Sequence, residues 1–243
     1  MNATVAQLTA RSLLGRRRAL VLLALPAILL LLSETLRVFA GVGDGATIGL
    51  LGGFGLGTIV PLLALIAGTG AIGPEIDDGS VVYLLAKPLR RSTIVTSKLA
   101  VSVGVVTAVA AVPMLVAGLV LWGGADGLAV AYGVGALVAG VAYCAVFLLL
   151  AVVTRNAVVV GLLYALIWES LIGGFVPGAQ VLSIQQWALA VTERLLGAAA
   201  QPLGVSSAVS FGAAVALLLA VTVGATLYAG HRLRVLRVTS GET

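Results

Sequence analysis

Between Leu128 and Val153 the chain runs for 26 residues without an aspartate, glutamate, lysine or arginine. At 1.5 Å per residue, a helix of that length exceeds the ~30 Å hydrocarbon core of a bilayer. In that core every backbone N–H and C=O must be satisfied within the segment, so a helix is the form such a run takes. Five further apolar runs accompany it, at 19–39, 46–72, 94–122, 157–175 and 205–228. The expectation is one 243-residue transmembrane domain, an all-α integral membrane protein of six transmembrane helices. Composition agrees, with 60% hydrophobic and 9% charged residues against roughly 25% charged in soluble domains.

Ahead of the first run, Val5, Leu8 and Leu13 or Leu14 recur at near-helical spacing before Arg16, Arg17 and Arg18. This pattern predicts an interfacial helix within 1–18, with an unstructured tail as the alternative. The run 19–39, with its basic flank and Val38-Phe39-Ala40, also has the outline of a signal peptide. Its length and the spans that follow favour an uncleaved anchor. Glu34 and Arg37 are three apart on one face, placed either to pair or to snorkel to the interface. The second run carries Gly49, Gly53 and Gly57, a spacing that admits close helix approach, and Pro61, which predicts a kink. Joints at 41–45, 123–127 and 155–156 are short, so neighbouring helices run antiparallel. Within 176–204, Ile184, Trp187, Ala188, Val191 and Leu195 share a face, the mark of an amphipathic or re-entrant helix on the outer side.

Charge sets the orientation. With the N-terminus inside, all but Arg37 and Arg194 of the fourteen lysines and arginines fall on the inner side. That asymmetry places both termini and the segment 73–93 in the cytoplasm. The basic residues lie in short clusters beside apolar runs rather than in one stripe, which argues for topology signals and against a nucleic-acid surface.

The chain offers little chemistry of its own. It has no G-x-x-x-x-G-K-[ST] phosphate cradle, and neither Lys87 nor Lys98 follows a glycine. One histidine, His231, and one cysteine, Cys144, make neither a metal cluster nor a nucleophile–base pair. Glu169 is the acid placed deep in a span, where a charge costs at least about 2.5–3.5 kcal/mol. Two readings of it stand open: a substrate-pathway group facing a cavity, or a structural partner, with Arg37 a candidate at similar depth.

The segment from Gly73 to Lys98 is the most polar interruption of the chain. It reads Glu75-x-Asp77-x-Gly79-Ser80, with Asp78 beside the second acid, then Tyr83-Leu84-Leu85-x-x-Pro88-Leu89-x-Arg91, then Ile94 and Lys98. This resembles the first cytoplasmic loop of ABC-2 type transporter permeases, whose pattern runs acid-x-acid-x-Gly-Thr/Ser, Leu-Leu, Pro-Val-Ser/Arg-Arg, a hydrophobe and a late lysine. The chain departs from that pattern in having Leu89 for valine and aspartate where glutamate is commoner. Six spans, inner termini, an interfacial first helix and an outer helix before the last span are similar to the family over essentially the whole chain.

The resemblance implies a coupling helix in 73–93 that docks in a cleft of a separate ATP-binding subunit, with Glu75, Asp77, Asp78, Gly79, Ser80, Tyr83, Leu84, Leu85, Pro88 and Arg91 as the interface. It further implies two ATPase subunits that bind ATP and Mg²⁺, no cofactor in this chain, and a second permease chain with contacts mainly on spans one and five. The expected setting is a bacterial cytoplasmic membrane, and the expected activity is export of a lipid-, drug- or peptide-like substrate. Two alternatives remain: a permease for copper-enzyme maturation, to which two Met, one His and one Cys lend no support, and a non-transporting anchor or sensor for an ATPase.

Overall fold

The computed structural model describes residues 3–13, 15–39, 44–73, 75, 91–124, 127–172 and 178–235, and among them the regular structure is all helical, with no strand. We label the helices in chain order. α1 is Ala3–Leu13 and α2 is Arg16–Phe39; α3 joins Asp44–Ile48, Gly49–Ile59 and Val60–Gly70; α4 joins Arg91–Val106, Thr107–Ala111 and Val112–Trp122. α5 is Leu128–Val153, α6 joins Ala157–Leu163 and Tyr164–Ile172, α7 is Ile184–Leu196 and α8 is Phe211–Val235.

Among the described residues, five helices are long and apolar enough to cross a membrane: Ala19–Phe39, Gly45–Gly70, Thr93–Trp122, Leu128–Val153 and Phe211–Leu233. The expected fifth span, 157–175, corresponds to α6, whose apolar helix Ala157–Glu169 is shorter; residues 173–177 lie outside the described residues. The expected start of the last span also moves. Residues 205–210 are not helical, because α7 holds them: Glu193 Oε2 accepts from Ser207 N at 2.9 Å and Gln186 Oε1 from Ala208 N at 3.3 Å.

α5 is the hub, packed against α3, α4, α6, α7 and α8. It is apolar all round: most of it is packed against other helices, and Val130, Leu137 and Val153 are left exposed; its small residues let neighbours come close. An added methyl at Gly135 would collide with Thr192 of α7, and one at Gly140 would stand 2.8 Å from Val106 of α4. On α3, a methyl at Gly68 would press on Phe147 and on the Cys144 carbonyl of α5. On α2 and α8, large apolar side chains such as Leu20, Leu31, Phe39, Leu219 and Leu227 face outward. An exposed surface of this kind suits lipid, not water.

Three stretches are wound wider than an α-helix, with i→i+5 hydrogen bonds: Gly49–Ile59, Thr107–Ala111 and Tyr164–Ile172. Two of them end just before a proline, Pro61 and Pro113. Proline lacks an N–H and its ring clashes with the carbonyl four residues back; widening the preceding turn moves that carbonyl away. The backbone N–H groups of Val60 and Val112 accordingly reach Gly55 O and Thr107 O, five residues back.

The first of these stretches carries the glycine pattern. Gly49 and Gly53 are exposed with nothing within 4 Å of an added Cβ, whereas Gly52, Gly55 and Gly57 are buried against Tyr132, Met114 and Gln185. Of the stripe Gly49, Gly53, Gly57 only Gly57 is buried, so the stripe does not pack as one surface within the chain.

Candidate functional site

The helices alternate in direction and give the bundle two ends. One end carries α1, the last turn of α3, the start of α4 and the α5–α6 joint, and it flanks residues 74–90. We call it the loop end. Leu13 and Thr9 of α1 are buried there, where α1 packs on α4 and α3.

At its centre is Lys98, fully buried although it lies in a helix that begins only at Arg91. Its position follows from period: it is four residues after Ile94 and three after Val95, both buried, so it shares their inward face. The ammonium is paired twice. Nζ donates to Glu75 Oε1 at 2.7 Å and to the backbone oxygen of Ala71 at 2.5 Å. Ala71 follows the last turn of α3, where free carbonyls and the negative end of the helix dipole favour a cation. One turn further along α4, Ser102 Oγ donates to Ala67 O of α3 at 3.1 Å and to Lys98 O at 3.0 Å.

These contacts close the root of the segment 74–90. Glu75 stands on its near side and Lys98 on its far side, 23 residues apart in sequence and in direct contact. An apolar cluster of Ala71, Ile72, Val95, Leu148, Val152, Ala229 and Leu233 brings α5 and α8 to the same end of the bundle. Near the root, a cavity of about 400 Å³ lies between α3 and the α5–α6 joint, lined by Thr69, Gly73, Arg155 and Asn156 among others. A buried ion pair adds little net stability over apolar residues of the same volume, but removing one partner costs about 3–5 kcal/mol. What the clasp fixes, then, is position: α3 and α4 enter and leave the segment at one point.

Of the residues expected to form the coupling interface, Glu75 is engaged in this clasp. Arg91 opens α4, and only its backbone is described. Asp77, Asp78, Gly79, Ser80, Tyr83, Leu84, Leu85 and Pro88 lie outside the described residues.

The opposite end is built around Glu169, which is fully buried. Its Oε1 accepts from Tyr164 Oη at 2.8 Å and from Ile184 N at 3.1 Å; its Oε2 accepts from Ser183 Oγ at 2.5 Å and from Gln185 N at 3.3 Å. The carboxylate therefore seals the N-terminus of α7, where unsatisfied amides and the dipole favour negative charge. Tyr143 of α5 is also close enough to interact with this charge. Arg37 is elsewhere, 3.9 Å from Glu34, with both side chains more than half exposed.

From this anchor α7 runs inward-facing along α5. Gln185 Nε2 donates to Gly52 O in the wide stretch of α3 at 2.8 Å, and Thr192 Oγ1 donates to Ala188 O at 3.0 Å and to Ala131 O of α5 at 3.4 Å. Trp187 Nε1 donates to Val181 O at 2.7 Å. The start of α7 had a legible signal in Ser183-x-x-Gln186, the spacing of a capping box; Gln186 N does reach Ser183 Oγ, at 3.4 Å. No sequence pattern links Glu169 to that helix end fourteen residues later.

A largely buried apolar hub helix, outward apolar surfaces and, among the described residues, five helices of spanning length define a multi-pass membrane protein whose second and third long helices are clasped where the polar segment joins them. The chain belongs to the ABC-2 family transporter proteins, whose family model matches residues 4–232. Members are membrane-spanning permease subunits that generally act with a separate ATP-binding subunit and dimerise. No curated protein matches the chain.

Proposed function

We propose that this chain is the permease subunit of an ABC exporter and that its segment 73–93 is the coupling element, docking on a separate ATP-binding subunit. The observation that carries the proposal is the clasp of Lys98 on Glu75 and Ala71 O. With α3 and α4 tied where the segment joins them, force applied to the segment is delivered to both helices together. Asp77, Asp78, Gly79, Ser80, Tyr83, Leu84, Leu85, Pro88 and Arg91 supply the docking surface, with the apolar Tyr83-Leu84-Leu85 in a groove of the partner. Glu75 serves the root. ATP and Mg²⁺ are held by the partner, two permease chains and two ATPase subunits form the complex, and the setting is a bacterial cytoplasmic membrane. The cargo class is a lipid-, drug- or peptide-like molecule moved outward.

The test is a pull-down of the tagged chain from solubilised membranes, native against a Tyr83→Ser, Leu84→Ser, Leu85→Ser triple variant. An ATPase carrying a P-loop is recovered with the native chain and lost with the variant. Equal recovery with both, or none with either, removes the coupling role.

A further inference from the structure

We propose that a zwitterionic phospholipid with a primary ammonium, phosphatidylethanolamine, binds where α7 meets the start of α8. Glu193 and Arg194, consecutive on α7, both line a cavity of about 470 Å³ that Ser207 to Phe211 close from the other side. Among the described residues they pair neither with each other nor with any other charge. Glu193 Oε2 accepts from Ser207 N at 2.9 Å. One such bond leaves the carboxylate anionic, and its Oε1 accepts no hydrogen bond among the described residues. The cavity therefore holds one unneutralised charge of each sign, side by side.

That arrangement is complementary to a dipole. A guanidinium takes a phosphate through paired N–H donors, and a carboxylate oxygen takes a primary ammonium through a charge-assisted hydrogen bond. A headgroup with net negative charge meets Arg194 but is repelled by Glu193. Phosphatidylcholine matches both signs, yet its quaternary ammonium has no N–H to donate. Phosphoethanolamine alone of the three supplies both partners.

The hydrocarbon part has its place beside this cavity. An apolar groove of about 290 Å³ is formed by Val138 and Val141 of α5 and by Phe211, Val215, Leu218 and Leu219 of α8. Phe211 lines both spaces, and on α7 Ala190 lines the charged cavity while the next residue, Val191, lines the groove. Along α8 the groove runs from Phe211 to Thr222, about 16 Å at 1.5 Å per residue. That is about half of the ~30 Å hydrocarbon core, the depth of one leaflet. Phe211 begins the apolar span Phe211–Leu233, so the two charges fall at headgroup level and the groove extends towards the bilayer midplane.

The experiment is native mass spectrometry of the full chain released from mild detergent after titration with phosphatidylethanolamine, phosphatidylcholine or phosphatidylglycerol of the same acyl chains, or with sn-glycero-3-phosphoethanolamine. Phosphatidylethanolamine is expected to be retained about fivefold more strongly than phosphatidylcholine, the upper end of what one exposed ion pair contributes, and phosphatidylglycerol less than phosphatidylethanolamine. Glu193→Gln keeps an acceptor for Ser207 N, brings the ethanolamine-to-choline ratio to about one and raises retention of phosphatidylglycerol. Arg194→Gln lowers retention of both zwitterionic lipids. Leu219→Trp, a change at a 60% exposed position of the groove, lowers retention of all three lipids. The headgroup without acyl chains is not retained.

A native ratio of about one overturns the proposal, as does a preference for ethanolamine that survives Glu193→Gln. Phosphatidylglycerol held as strongly as phosphatidylethanolamine overturns it too, because the site then reads net charge. Retention of glycerophosphoethanolamine, or lipid retention indifferent to Leu219→Trp, replaces the lipid site with one for a small zwitterion. Each ratio compares lipids on one preparation of folded chain, so a loss of stability in a variant does not imitate a loss of selectivity. None of these readouts involves the ATP-binding subunit, so the result is independent of the coupling test.

Discussion

Each end of the bundle draws one carboxylate into its network, and the two ends satisfy it in opposite ways. At the loop end Glu75 meets a cation, Lys98, which also grips the carbonyl end of α3. At the α7 end Glu169 meets no cation among the described residues; it is held by two hydroxyls and two backbone amides at the start of α7. The ion pair ties the end of α3 to the first turns of α4 and is replaceable only as a pair. The amide seat fixes one helix against its neighbours and is replaceable by any group that accepts hydrogen bonds. The first arrangement transmits load, and the second holds a helix in place.

The comparison breaks most sharply at Lys98. Lys98→Met leaves Glu75 without its cation and lowers stability by about 3 kcal/mol, the low end of the cost of stranding half of a buried pair, because the Glu75 side chain is 28% exposed; thermal unfolding in detergent reads it. Adding Glu75→Gln to that variant restores much of the loss, yet partner-stimulated ATPase activity stays low because the root remains untied. Full recovery of activity by the double variant sinks the lever.

At the other end Glu169→Ala strands the Ser183 hydroxyl and the amides of Ile184 and Gln185, an expected loss of about 2 kcal/mol. Glu169→Gln keeps an acceptor and loses about half as much. A Gln variant as damaged as the Ala variant shows instead that the charge itself is needed, and reopens the substrate-pathway reading of Glu169. The smallest effect belongs to Arg37→Ala. Its pair with Glu34 is long and more than half exposed, so stability changes by no more than ~0.5 kcal/mol. A larger loss there points to a contact of Arg37 with a second chain.

Hydropathy read the all-helical membrane class, because a bilayer leaves an apolar run almost no other choice. It failed where side chains overrule hydropathy. Val205 to Ser210 is apolar enough to extend α8, yet Glu193 and Gln186 take its amides first. Gly49 and Gly53 of the glycine stripe stay exposed, while Gly52 and Gly55, outside it, are the ones packed on Tyr132 and Met114. In the clasp, Lys98 was visible in sequence as the late lysine of the loop pattern, and its phase with Ile94 and Val95 already turned it inward. Its partner was harder to see, since Glu75 lies across 23 residues and reads as one acid among three. Glu169 was conspicuous by its depth, but its partners are mostly backbone amides and hydroxyls, which carry no sequence signature.

The single wide turn in α4, Thr107–Ala111, works as a phase corrector. Each residue of an α-helix advances the face by about 100°. Counted without interruption from Lys98, Ser102 and Val106, the residues Met114, Ala117, Gly118 and Leu121 would drift round the helix by roughly one such step. All of them are nevertheless buried. The extra residue taken up in the wide turn cancels the drift, so one helix can grip α3 at the clasp and still keep the same side turned inward at its far end.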